Sequence, residues 1–153
     1  LIAAAIGEAV LSLLVMMPVP LSFFSPLVGG LGGAVAIGME PTYYWDALDT
    51  GARRWLIQNT QPGESIQFAT FPLSWLYLRR TGELPRRIAP IDPGRPRWLV
   101  IQNRPGAFSA GDRSFIERGV PAFVVSKLGV PLIWIYPIGF HADPPSPRNR
   151  QAQ

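Results

Sequence analysis

Gly38-Met39-Glu40-Pro41-Thr42-Tyr43-Tyr44-Trp45-Asp46-Ala47-Leu48 divides the chain into two unlike parts. The N-terminal part is almost free of charge, and the C-terminal part alternates short apolar runs with arginines and turns. Tyr43, Tyr44 and Trp45 each join an apolar ring to a polar tip, the side-chain type enriched where hydrocarbon meets headgroups and water. Pro41 can open a helix but cannot continue one, so a new element is expected just after it.

Outward from this hinge, charge separates sharply. All 14 Lys and Arg lie from Arg53 onward, and the first 39 residues carry only Glu8. The first forty residues therefore hold a net charge of −2 and the rest +6, within a chain that is 48% apolar and 16% charged. A cationic face beside an apolar segment suits anionic headgroups or phosphates. It equally suits a solvated, solubilising surface. Thirteen of the 14 cations are Arg, the residue that binds phosphate through two parallel N–H groups. The absence of Cys excludes disulfides, thiolate catalysis and thiolate metal sites.

Toward the N-terminus, residues 1–24 have about the length needed to cross a hydrocarbon core of roughly 30 Å, and are read as a transmembrane helix. A secretory signal peptide fits less well, because the start has neither Met nor positive charge. The missing Met implies a piece of a longer protein. Glu8 is costly in lipid and is expected near the membrane edge. Pro18 and Pro20 should end the helix around Met17. Residues 25–41 form a glycine-rich juxtamembrane connector, with Gly29-Gly30, Gly32-Gly33 and Gly38. Its spacing matches no nucleotide-binding loop, so a close-packed turn is expected.

Toward the C-terminus, residues 42–138 are read as a soluble α/β domain. Thr42 is the expected N-cap of a helix whose core face is Trp45, Leu48, Ala52, Trp55 and Leu56, broken by Gln61-Pro62-Gly63. Ser65 to Thr70 alternates as a strand, Pro72 to Arg80 reads as a short helix, and Arg86 to Ile91 as a weaker strand. Trp98-Leu99-Val100-Ile101 is apolar on both faces and should be a central strand. Ala110 to Arg118 is a helix stopped by Gly119. Pro121 to Ser126 and Val130 to Tyr136 are expected to pair through Lys127-Leu128-Gly129. Residues 139–153 are read as a disordered tail. The fold class is thus α/β: an N-terminal transmembrane helix followed by a small mixed-sheet α/β extracytoplasmic domain.

Chemistry-bearing residues are few. The only His, His141, lies in the tail, so neither His-based acid/base catalysis nor a His-ligated metal is expected, and no cofactor is called for. No Gly-x-Ser-x-Gly elbow occurs. Asp46 and Asp49 sit three apart, a spacing that capping and the helix dipole explain without catalysis. The doublets Arg53-Arg54, Arg79-Arg80 and Arg86-Arg87 lack the interleaved aromatics of a nucleic-acid face, so no nucleic-acid partner is expected.

Several of these stretches together resemble the C-terminal end of bacterial family 39 glycosyltransferases, relatives of dolichyl-phosphate-mannose protein mannosyltransferases and of the lipid A aminoarabinose transferase. They are Phe23-Phe24-Ser25-Pro26-Leu27-Val28-Gly29-Gly30, the hinge itself, Trp55-Leu56 with Pro62-Gly63, Ser114-Phe115-Ile116-Glu117, and Pro121 to Ser126 with Gly129-Val130-Pro131-Leu132. The resemblance covers about residues 20–138. It implies an inner-membrane enzyme that passes a sugar from a polyprenyl-phosphate donor to a protein or lipid acceptor at the extracytoplasmic face. The family's catalytic acids belong to an early loop that this chain does not contain, so no catalytic residue is carried over. The expected partners are membrane lipid, the polyprenyl-phosphate sugar donor and the remainder of the parent membrane protein. Glu40, Tyr43, Tyr44, Trp45 and Asp46 are the candidate substrate-binding residues, lining the gap between domain and membrane. The alternative is a membrane-anchored binding or scaffold domain without enzymatic activity.

Overall fold

The computed structural model describes residues 2–17, 22, 24–42, 47–69, 74–88 and 96–138. Its centre is β2 (Pro96–Gln102), whose apolar run serves both faces of a sheet. β1 (Ser65–Phe68) pairs with it in parallel, β4 (Val130–Pro137) pairs with it antiparallel, and β3 (Phe123–Lys127) closes the other edge, giving the order β1-β2-β4-β3. A parallel pair needs a crossover, and α4 (Ser74–Arg80) lies in the connection between β1 and β2.

The two-residue period of β2 sends Trp98 and Val100 to one side, and Leu99 and Ile101 to the other. On the first side they meet Ile66, Phe68, Ile133 and Ile135 under Ala52 and Leu56 of α3 (Thr50–Asn59), with Leu78 of α4 in the same cluster. The Trp55 ring stands edge-on to Trp98 at 4.8 Å and lies 5.3 Å from Phe123. On the second side Leu99, Ile101 and Tyr136 pack with Phe115 and Ile116 of α5 (Ala110–Arg118). The domain is three-layered, with the mixed sheet expected from the strand-helix alternation and closing hairpin, and with the continuous apolar strand in its interior.

α5 starts where its sequence says it should. Ser109 and Asp112 form a reciprocal capping box, and Gly119 follows the last turn. A Cβ on Gly119 would stand 2.5 Å from the Phe115 carbonyl oxygen and 2.9 Å from Tyr136, so only glycine fits there. Between β3 and β4, Leu128 (φ 49°) and Gly129 (φ 78°) make a two-residue turn with both φ values positive, the type I′ geometry that matches strand twist.

α3 begins at Thr50 rather than just after Thr42. Thr42 is fully buried and its hydroxyl donates to the Asn103 carbonyl oxygen at 2.9 Å, which ties it to the end of β2 and not to the start of α3. Asp49 caps instead, accepting from the Ala52 amide at 2.8 Å. At the far end, Arg87 donates to the Ile57 and Thr60 carbonyls and Trp98 Nε1 to that of Asn59, satisfying carbonyls the helix leaves open. Residues 86–88 form a turn, not the expected strand start, with the Ile88 amide donating to Pro85. Thr70, Pro72 and residues 89–91 of the expected elements lie outside the described residues, as does the tail from 139.

The reading of residues 1–24 as a transmembrane helix is overturned. α1 runs Ile2–Met16, only 15 residues and therefore about 22 Å long, and no described helix is long and apolar enough to cross a membrane. Two contacts fix the helix end. Met16 is buried in the domain core, and the Lys127 ammonium donates to the Met17 carbonyl at 2.7 Å, tying it to the β3–β4 turn. Glu8 is exposed on this helix. The connector is also more regular than a turn. Gly30–Ala36 forms α2, entered through Gly29 at φ 82° and packed by Leu31 and Ala34. A Cβ on Gly33 would collide with the Val28 carbonyl, so α2 and the preceding turn close on each other through glycine.

Candidate functional site

Residues 39–42 lie as a strap across the carboxyl end of β2. Glu40 is its anchor. One carboxylate oxygen accepts from Arg104 Nε at 2.9 Å and the other from the Gly106 amide at 3.1 Å. Both side chains are about three-quarters shielded from solvent, 21% exposed for Glu40 and 26% for Arg104. A charge-assisted bond in such a place is stronger than an open surface pair. Thr42 adds its buried bond to the Asn103 carbonyl.

The receiving loop is itself held in place. Asn103 donates from its backbone to Leu132 at 2.8 Å and from Nδ2 to Pro131 at 2.7 Å. Pro105–Ala107 winds a single 3-10 turn, and Arg113 of α5 reaches back to the Pro105 carbonyl while lying over the Phe108 ring. A Cβ on Gly106 would stand 2.6 Å from Glu40 Oε1, so glycine lets the carboxylate approach the backbone. The loop is thus a fixed surface and the strap is tied to it at several atoms.

Of the residues singled out from sequence, Glu40 is placed by this geometry, while Tyr43, Tyr44, Trp45 and Asp46 lie outside the described residues. Their two flanks are fixed. Thr42 on one side and Ala47 with Leu48 on the other are completely buried. Thr42 stands at the carboxyl end of β2, the strand that runs parallel to β1. In open α/β sheets that end is where ligands bind.

With both oxygens engaged, Glu40 anchors the strap to the loop after β2. Asp49 is likewise occupied as a helix cap. Among the described residues no three His, Asp or Glu side chains converge as metal ligands would. A cleft of about 380 Å³ between α1, α2 and the Leu128 turn is lined by Leu11, Val15, Met16 and Leu31 among others, with no ionisable side chain, so it offers shape without reactive chemistry. Burial pushes the Tyr136 phenol above its ordinary pKa, but the ring belongs to the core under α5.

Arg104 and Gly106 were not singled out from sequence. Their signal was Asn103-Arg104-Pro105-Gly106, a turn set directly after the most apolar strand, with a cation at its start. A search for basic doublets passes over a single arginine. Comparison with protein-family models, with curated proteins and with solved structures finds no match to this chain.

Proposed function

We propose that this chain is a C-terminal part of a polyprenyl-phosphate-dependent membrane glycosyltransferase, in which Glu40 anchors the segment whose Tyr43, Tyr44, Trp45 and Asp46 contact the donor's phosphate end or the acceptor. The remainder of the parent protein supplies the catalytic acids and the membrane-spanning part. The reading rests on the resemblance of the hinge, Glu40 to Leu48, to family 39 glycosyltransferases. The observation that carries it is the strap: Glu40 bound to Arg104 and Gly106, which anchors the chain at the carboxyl end of β2 just before Tyr43.

Tyr hydroxyls and a carboxylate suit a sugar or hydroxyl acceptor, since each donates or accepts hydrogen bonds in a fixed direction. The chain alone transfers no sugar, because glycosyl transfer needs a positioned base or an electrostatic partner for the leaving phosphate. Two experiments test the proposal. The coding sequence upstream of Leu1 should hold many apolar spans and an early loop with Asp or Glu; its absence removes the enzyme reading. In the complete enzyme, Tyr44→Phe and Asp46→Asn should lower turnover with folding intact, and unchanged turnover in both would remove the substrate role.

A further inference from the structure

We infer that the α4 face of the domain is a docking surface for an anionic lipid surface. Between residues 74 and 88 there are four arginines and one carboxylate, Glu83. That carboxylate is already taken. Arg53 of α3 binds it at 2.6 Å and the Thr81 hydroxyl donates to its other oxygen. The remaining cations divide by what they do. Arg87 caps the end of α3, and Arg79 donates to the Arg86 carbonyl, which draws residues 79 and 86 together. Arg80 and Arg86 are exposed, and among the described residues neither guanidinium has an ion pair or hydrogen bond.

The neighbours of Arg80 select the partner. Leu76 and Tyr77 precede it by four and three positions on α4, so the three side chains form one stripe. Leu76 is 43% exposed and Tyr77 65%. An exposed leucine has no use against a solvated polyanion or an unstacked base, whereas leucine, tyrosine and arginine together suit a headgroup layer. The apolar parts enter the acyl boundary, the phenol stays at headgroup level, and the guanidinium reaches phosphate. The inference goes beyond the proposed function and does not depend on sugar transfer.

Co-sedimentation of the 153-residue chain with vesicles tests it, using phosphatidylcholine alone and phosphatidylcholine mixed with phosphatidylglycerol. The anionic vesicles should bind more tightly, with the preference fading as salt is raised. Arg80→Gln and Arg86→Gln should each weaken binding to the anionic vesicles about fivefold and together roughly 25-fold, leaving binding to phosphatidylcholine unchanged. Leu76→Ser with Tyr77→Ser should weaken binding to both. All four side chains are exposed, and circular dichroism should confirm the wild-type fold in each variant. No preference for phosphatidylglycerol overturns the inference, as does a preference that survives the double arginine substitution. Tighter binding to a single-stranded oligonucleotide than to anionic vesicles at the same salt also overturns it.

Discussion

α1 and β4 are both apolar and are treated oppositely by the fold. Leu132, Ile133 and Ile135 of β4 have no exposed surface, whereas Leu11 and Leu14 of α1 are each 63% exposed. The difference lies in what each element is joined to. β4 has a strand on either side and a helix layer on each face, while among the described residues α1 is held to the domain at its last turn, by Met16 and Met17. Hydropathy measures the tendency to leave water, and says nothing of which surface will do the covering.

The largest test of this contrast is truncation at matched apolar sites. Ile135→Ala should cost about 2–5 kcal/mol in unfolding free energy, because it opens a cavity at the junction of β2, β3 and β4. Leu14→Ala should stay within about 0.5 kcal/mol. Urea titration of both variants measures the pair, and equal losses would mean that α1 is as much a part of the core as β4.

Next in size is the strap. Thr42→Val keeps shape but leaves the Asn103 carbonyl without its donor, so a loss of about 1–3 kcal/mol is expected in the same titration. A loss near zero would show that residues 39–42 are not tied to the sheet. The β3–β4 turn should respond in the opposite direction. Leu128 sits at φ 49° with its side chain 60% exposed, and Leu128→Asn should raise stability by roughly 0.5–1 kcal/mol, read as a higher melting temperature.

Much of the domain was legible because local and global signals agree in it. Trp98 to Ile101 is apolar at every position, which only an interior strand requires, and Ser109 with Asp112 writes a helix start in four residues. The strand-to-helix alternation and the closing hairpin were readable for the same reason. The misread places are those where a distant partner decides. Thr42 has the right side chain to cap a helix, but it is bound to the Asn103 carbonyl, 61 positions away, and α3 starts later with Asp49 as its cap. Residues 1–24 have the composition of a span, but α1 ends at Met16, close to where Pro18 and Pro20 were expected to end it, and the misreading lay in counting residues 17–24 toward a crossing helix. Arg104 carries no local mark of its role, since its partner Glu40 is 64 positions away.

The smallest effect expected is alkaline. Burial raises the Tyr136 pKa in the folded chain, so the unfolded chain loses this proton first. Stability is fully present below about pH 10 and falls as pH rises from there toward the folded value. Tyr136→Phe should flatten that limb of a melting profile, and an unchanged slope would assign it to other groups.

The central claim is that Glu40 and Arg104 act as one unit holding the strap at the carboxyl end of β2, in the position that the proposed parent enzyme would use. A double-mutant cycle on sugar transfer by the complete enzyme tests it most directly, with Glu40→Gln, Arg104→Gln and the pair. Each single variant should lower turnover by roughly tenfold, the factor that about 1.4 kcal/mol supplies, with the double variant no worse than either. Wild-type turnover in a folded Glu40→Gln enzyme, or losses that simply multiply in the double variant, would contradict it.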